Sequence, residues 1–160
     1  MLTISPERKR AISQEWLDLT LCTYNSQSMK FLVRESDRFR NPVGQTLKEG
    51  IPLLVDELFG GMDFARVRQA LEDIVRIRAV QSFSARDAVG FVFLLKGVVQ
   101  QELSAAGADR LELDRRIDEL ALSAFDFYTQ CRAKISDIQV SEARRSVALL
   151  ERIYSGVEGR

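Results

Sequence analysis

The chain of 160 residues contains no histidine. This absence excludes Ser-His-Asp and Cys-His nucleophilic pairs, histidine metal sites and histidine-ligated haem. Two cysteines, Cys22 and Cys131, are too few for a four-thiolate zinc site. Without an export signal we predict that both remain free thiols. We therefore expect no metal and no cofactor.

Long apolar runs are also missing. The longest, AVGFVFLL, is ended by Lys96 and is far shorter than the roughly 20 residues that span a bilayer. The N-terminal stretch MLTISPERKRAISQEW has no continuous apolar segment of the kind found in secretory signals. We predict no membrane association and a cytoplasmic location.

Neither sign of charge is in excess, since 23 basic residues balance 23 acidic ones. Nucleic acids and anionic membrane surfaces usually select a basic excess, so neither is expected as a partner. Hydrophobic residues make up 46% of the chain and charged residues 29%. These values are typical of a soluble globular protein, and we predict a single domain over residues 1–160.

Apolar residues recur at helical spacing in nearly every long segment, and strand-like alternation is missing. Helix starts are indicated by Ser5-Pro6, by Asn41-Pro42, and by Ser84 with Asp87 three positions later. The sequence therefore predicts an all-α bundle.

The segment IVRIRAVQSFSARDAVGFVFLLK, residues 74–96, contains an unusually placed arginine. Val67, Leu71 and Ile74 form an apolar stripe, and helical geometry puts Arg78 near the centre of that stripe. Either the stripe ends there and the guanidinium reaches solvent, or it meets a carboxylate or a ligand inside.

The following helix is apolar on nearly every side, which predicts the buried centre of the bundle. Gly90 and Gly97, seven residues apart, share one face. We favour a second helix crossing closely at these glycines. The alternative is a small-molecule pocket, with Arg78 and Gln81 as its polar contacts.

The last predicted helix runs from about Leu111 to Tyr154 and changes register once. Its first apolar stripe, from Ile117 to Ile138, keeps spacings of three and four. A second stripe begins out of phase and consists of Val140, Ala143, Val147, Leu150 and Tyr154. We predict that residues 139–160 form a helical extension whose stripe contacts a second copy of the chain, or else folds back onto the first helix.

Residue types that could support catalysis are present but lack activating partners. Cys131 lies on a packed stripe, and Cys22 has no evident base beside it. Asp114 and Asp118 belong to the run DRLELDRRIDEL, which is typical of a solvated, salt-bridged helix face. We expect that the protein is not an enzyme.

Three stretches carry a family resemblance: DRFRNPVGQTLKEGI, the segment 74–96 and AFDFYTQCRAKI. They resemble the N-terminal domain of the RsbRD-type RsbT co-antagonists, which are sensory modules of bacterial stressosome proteins. The resemblance implies a globin-like bundle that binds no haem and is usually dimeric. In full-length members a long exit helix leads to a STAS domain that takes part in partner switching with a kinase, and we expect no STAS domain in this sequence.

The resemblance implies a non-catalytic regulatory or sensory module that acts through protein–protein interaction in stress signalling. We expect a homodimer and a protein partner in a regulatory pathway. The alternative function is that of a small-molecule binder or carrier with a pocket beside the central helix.

Overall fold

The computed structural model describes residue 2, residues 4–103 and residues 108–158. These residues form six helices and no strand, which confirms the all-α prediction. The helices are α1 (Pro6–Leu21), α2 (Ser26–Arg34), α3 (Pro42–Phe59), α4 (Phe64–Val80), α5 (Ala85–Glu102) and α6 (Ala108–Glu158). Of the predicted extension 139–160, residues 159 and 160 lie outside the described residues.

The helices begin at the predicted caps. Ser5 Oγ accepts a hydrogen bond from the Arg8 amide at 3.3 Å, and Pro6 occupies the first position of α1. Ser84 Oγ accepts one from the Asp87 amide at 3.1 Å at the start of α5. Both caps satisfy backbone donors that an α-helix leaves free at its start.

Asn41 caps α3 and also binds the end of α2. Its Oδ1 accepts from the Gly44 amide at 2.9 Å, which caps α3 as predicted. Its Nδ2 donates to the carbonyl oxygens of Leu32 and Glu35, both at 2.9 Å, at the end of α2. The side chain is buried, so one amide joins two helices inside the protein.

The core is shared by five helices: α3 packs on α1 and α4, and α5 packs on α1, α4 and α6. Trp16 of α1 is fully buried, stacks on Phe91 of α5, and donates from Nε1 to the Phe91 carbonyl at 2.7 Å. As predicted, α5 contributes buried residues to the core, but the helix is not buried on every side. Its outer side is solvent-accessible, because Phe93 is 51% exposed and Gly97 is exposed.

Helix α6 extends well beyond the core. Its first stripe is buried at Ile117, Leu120 and Ala124, as predicted, and half-buried at Cys131. From residue 136 to residue 156 every side chain is exposed although the helix is unbroken. The extension therefore projects away from the body and does not fold back onto α1.

We expect the Asn41→Ala variant to lose about 2–4 kcal/mol of unfolding free energy. One part is the lost cap, and the rest comes from two carbonyl oxygens left without a partner in a buried position. Asn25→Ala is the matched control, because Asn25 also caps a helix, accepting from the Ser28 amide at 2.8 Å, but is exposed. It should cost about 1 kcal/mol. Equal losses in urea denaturation would show that the link between α2 and α3 contributes nothing.

Candidate functional site

The side chain of Arg78 is fully buried on the inner side of α4. It therefore does not reach solvent, and no carboxylate among the described residues forms an ion pair with it. Two of the expectations for Arg78 are therefore wrong: its guanidinium does not reach solvent, and it does not pair with a carboxylate of the described chain. Its hydrogen bonds go to neutral oxygens: Nη2 donates to Thr23 Oγ1 and to the Asp87 carbonyl, each at 2.9 Å, and Nη1 donates to the Tyr24 hydroxyl at 3.4 Å. Its buried Nε has no hydrogen-bond partner in the part of the chain that the structure describes.

Three aromatic rings surround this guanidinium. Its Cζ lies 4.5 Å from the centroid of Phe83 and 5.3 Å from those of Tyr24 and Phe91. The negative face of an aromatic ring attracts a cation, and the attraction increases when water is excluded. We call Arg78, its three rings and Thr23 the arginine cage.

The end of α4 explains why Phe83 lies over Arg78. Ser82 has a positive φ of 62°, and the next amide, that of Phe83, donates to the Arg78 carbonyl at 3.2 Å. Together with the bond from the Ser82 amide to the Ala79 carbonyl at 3.3 Å, this is a Schellman turn. The turn folds the chain back, so that Phe83 covers the side chain five residues before it.

Burial shifts the pKa of both titratable members of the cage, Arg78 and Tyr24. It lowers the pKa of Arg78, an effect that the neighbouring Tyr24 partly opposes. It also raises the pKa of Tyr24, and Arg78 opposes that shift. An arginine remains charged at neutral pH even so. The cage therefore holds a positive charge in the core and joins the turn after α1, the end of α4 and the start of α5.

The four residues of the predicted pocket do not converge. Gln81 is exposed and borders a different surface depression from Gly90. Gly90 lines an open, mainly apolar depression of about 830 Å³, and Arg78 lies behind its wall. The depression is lined by Thr23, Phe83, Ala85, Arg86, Asp87, Val89, Gly90, Phe91, Phe93, Leu94 and Phe125. Gly97 does not line it, and the ligand pocket stays a prediction.

No helix of the described chain crosses α5 at its glycines. A Cβ atom built on Gly90 or on Gly97 would meet no other atom within 4 Å. The prediction of a close crossing within the chain is therefore wrong. Both positions face open space.

The catalytic candidates do not form a cluster. Cys22 is exposed with its Sγ 3.9 Å from Met29 Sδ, and Cys131 is half-buried. Both are free thiols, as predicted. Asp118 forms an ion pair with Lys96 at 2.6 Å. Within the described ranges, no group of three His, Cys, Asp or Glu side chains could hold a metal ion, and no helix is long and apolar enough to cross a bilayer.

The second apolar stripe of α6 is uncovered. Val140 is 47% exposed, Val147 55%, Leu150 53% and Tyr154 71%, and Ala143 is exposed as well. We call residues 139–158 the exit segment. Its apolar side has no partner within the described chain, whereas the first stripe of the same helix is packed.

The cage partners Thr23, Tyr24, Phe83 and Phe91 were not predicted from the sequence. They come from three separate segments of the chain, and their spacing from Arg78 does not identify them as its neighbours. The available signal was Arg78 itself, an arginine in the middle of an apolar stripe.

Comparison with known proteins gives two matches. The family model described as RsbT co-antagonist protein rsbRD N-terminal domain matches residues 10–143. A protein of Archaeoglobus fulgidus, described as uncharacterized, is 25% identical over 151 residues, which cover 92% of this chain and 91% of that relative. No solved structure matches the chain.

We expect Arg78→Lys to destabilise the protein more than Arg78→Met does. Lysine keeps a buried charge but loses the planar stacking and most of the hydrogen bonds, which should cost about 3–5 kcal/mol. Methionine removes the charge, and each oxygen that accepts from Arg78 loses one hydrogen bond. This should lower the free energy of unfolding by about 1–3 kcal/mol. Urea denaturation of the two variants gives the order. The reverse order would mean that the positive charge itself is what the fold requires.

Because the folded-state pKa of Tyr24 is raised, its contribution to stability depends on pH at the alkaline end. The contribution is fully present below about pH 10, where an unfolded tyrosine is neutral, and is lost as pH rises through the higher folded value. We expect the free energy of unfolding to fall more steeply above pH 10 in the wild type than in Tyr24→Phe. Parallel curves for the two proteins would contradict this.

Proposed function

The chain belongs to the family of RsbT co-antagonist RsbRD N-terminal domains, and from this we propose that it is a non-catalytic regulatory or sensory module of stress signalling. It acts by binding other proteins, and it associates with a second copy of itself through the exit segment. Family membership supports the regulatory role, and the exposed stripe supports the self-association.

The uncovered stripe of the exit segment carries the proposal. Most of the stability of helices in proteins comes from packing an apolar side rather than from intrinsic helix propensity. The exit segment is a continuous helix with five apolar side chains on one side, and no described residue of the body packs on them. Val140 and Val147 alternate with Ala143 and Leu150 at three- and four-residue spacing, which suits a two-helix seam.

The proposal also includes the arrangement of the helices, the absence of catalysis and the location in the cell. We propose a globin-like arrangement of the helices that holds no haem, since the chain has no histidine to ligate the iron. We also propose a protein without catalytic activity, because neither Cys22 nor Cys131 has an activating base among the described residues and Asp118 is held in an ion pair with Lys96. A cytoplasmic location is part of the proposal.

A second candidate function is small-molecule binding. It is favoured by the apolar depression beside Gly90, whose volume is in the range of ligand pockets. Native mass spectrometry of the purified protein, with a denatured run alongside, would reveal a retained compound as a mass lost on denaturation. An unchanged mass would leave this candidate without support.

We expect the wild type to have twice the 18.2 kDa mass of one chain. The double variant Val147→Glu, Leu150→Glu should be monomeric, with dimer affinity reduced roughly 100-fold or more, because it would bury charges without partners. Size-exclusion chromatography with light scattering measures both.

Ser141→Glu is the matched control, since Ser141 is exposed on the far side of the exit segment from the stripe. It should remain dimeric, and circular dichroism should show equal helicity in all three proteins. A monomeric wild type, or a dimeric double variant, would overturn the assignment of the seam.

A further inference from the structure

The turn that joins α2 to α3, residues 35–41, presents a phenylalanine to solvent. We call this segment the Phe39 turn. The side chain of Phe39 is 97% exposed, so it packs on almost nothing in the described chain. Single exposed apolar side chains are ordinary and by themselves indicate nothing. The surroundings of this ring distinguish it from such residues.

Hydrogen bonds hold the backbone of the turn on both sides of the ring. Asp37 Oδ1 accepts from the Phe39 amide at 2.8 Å, and the Asp37 carbonyl accepts from the Asn41 amide at 2.8 Å. An aspartate that accepts from the amide two residues ahead forms an Asx-turn. From α3, Gln45 Nε2 donates to the Ser36 carbonyl at 3.2 Å. The ring therefore projects from a backbone that is fixed in place.

Nothing in the described chain requires a phenylalanine at position 39. The turn uses only the backbone amide of this residue, and its φ is not positive. An apolar side chain stabilises a fold by leaving water, which this ring does not do. A ring on a fixed backbone does, however, lose little conformational entropy when it is bound. This combination is expected of a residue whose contacts lie in another molecule.

Two arginines flank the ring and are oriented by carboxylates of the chain. Nη1 and Nη2 of Arg38 each lie 3.2 Å from a carboxylate oxygen of Glu49, and Arg40 pairs with Glu35 at 3.4 Å. Both arginine side chains remain exposed. A guanidinium has five N–H donors, so each arginine keeps donors for a second carboxylate.

The surface around the Phe39 turn is positive although the chain as a whole is neutral. Residues 30–49 include five basic side chains and three acidic ones, against 23 of each in the whole chain. Phe31 is also exposed and borders the same surface depression as Arg40. Arg38 borders a second depression, between α3 and α4. A partner centred on Phe39 can therefore make apolar contact in the middle and carboxylate contacts at the rim.

We propose that the Phe39 turn is a docking site for a different protein, one that offers an apolar pocket for the ring and carboxylates on the rim of that pocket. Aromatic and arginine side chains are enriched at protein–protein interfaces, and a few such residues supply most of the binding energy. The planar guanidinium groups match the geometry of carboxylates. This inference rests on the proposed regulatory role and gives that role a surface on the body, separate from the exit segment.

The fixed geometry of the turn favours a protein partner over a membrane. A lipid surface is fluid and needs no rigid turn, and it attracts clusters of basic residues larger than an excess of two charges. A second copy of this chain is a poorer fit. A two-fold pair centred on the turn would place the same positive surface opposite itself, and like charges that face each other oppose binding.

The first test is the full-length variant Phe39→p-benzoylphenylalanine, irradiated in cells that naturally make the protein. We expect an adduct with a different, acidic protein that Phe64→p-benzoylphenylalanine does not form. Phe64 is the matched control, because it is 70% exposed but borders a depression shared with α6 rather than with the Phe39 turn. An adduct of two copies of the chain, or no adduct specific to position 39, would overturn the proposal.

The second test measures the affinity of the captured protein, once purified, for variants of the full chain. Phe39→Ser should raise the dissociation constant roughly tenfold or more, because it removes the central contact. The double variant Arg38→Gln, Arg40→Gln should weaken binding and remove most of its salt dependence. Phe64→Ser should bind like the wild type. Equal dissociation constants for the wild type and Phe39→Ser would contradict the docking site.

Thermal unfolding of Phe39→Ser checks that the ring has no role in the fold. Because the side chain is almost fully exposed, the variant should melt at the same temperature as the wild type. A clearly lower melting temperature would show that Phe39 stabilises the fold, and the argument for a partner would be lost.

Two variants of Asp37 separate the rigidity of the turn from its charge. Asp37→Asn and Asp37→Ala both remove one negative charge, but only asparagine keeps an oxygen that can accept from the Phe39 amide. We expect Asp37→Asn to bind the acidic partner at least as tightly as the wild type does, and Asp37→Ala to bind it more weakly. Equal affinities for the two variants would show that the fixed turn does not contribute to docking.

The outcomes separate this inference from the proposed function. A wild type that dimerises through the exit segment but forms no adduct at position 39 would end the docking site and leave the self-association standing. A monomeric wild type that binds the captured protein through Phe39 would do the reverse. Vesicles of phosphatidylglycerol give the last comparison. If they cosediment with the wild type and not with Phe39→Ser, the turn is a membrane contact and the proposal is wrong.

Discussion

The buried guanidinium of Arg78 is the constraint on which the body of the protein depends. A charge inside a protein is costly unless its surroundings compensate for it, and here they do so without a carboxylate. Rings from Tyr24, Phe83 and Phe91 and two closely held oxygens supply the compensation. Because these groups come from the turn after α1, the turn after α4 and the start of α5, all three segments must be in place together.

The cage lies close to the place where α6 leaves the body. It closes the end of the core from which α6 leaves, and Tyr128 of α6 donates its hydroxyl to the Phe83 carbonyl at 2.6 Å in that region. Beyond residue 135 the helix has no core to pack against. The body can thus fold around its own interior while the apolar side of the exit segment stays available to another molecule.

Several features could be predicted from the sequence because they are local. Helix starts at Ser5, Asn41 and Ser84 follow from side chains that bond to amides three residues ahead, and the register change near residue 139 follows from spacing alone. The partners of Arg78 could not be predicted, since they are distant in sequence and two of its acceptors are hydroxyl groups of ordinary turn residues. The open space at Gly90 and Gly97 could not be predicted for a related reason: their spacing shows that the two glycines share one side of a helix, but not which element, if any, approaches that side.

The sequence by itself determined the helical class, the helix caps, the family and the presence of two apolar stripes on the last helix, because each depends on residues within a few turns of one another or on whole motifs. Only the tertiary structure decided that Arg78 is enclosed by aromatic rings and neutral oxygens, that one side of α5 stays open, and that the second stripe has no partner in the body. Those properties depend on which helix surfaces come into contact when the chain folds. Such contacts join residues far apart in the sequence, so the pattern of one segment does not reveal them.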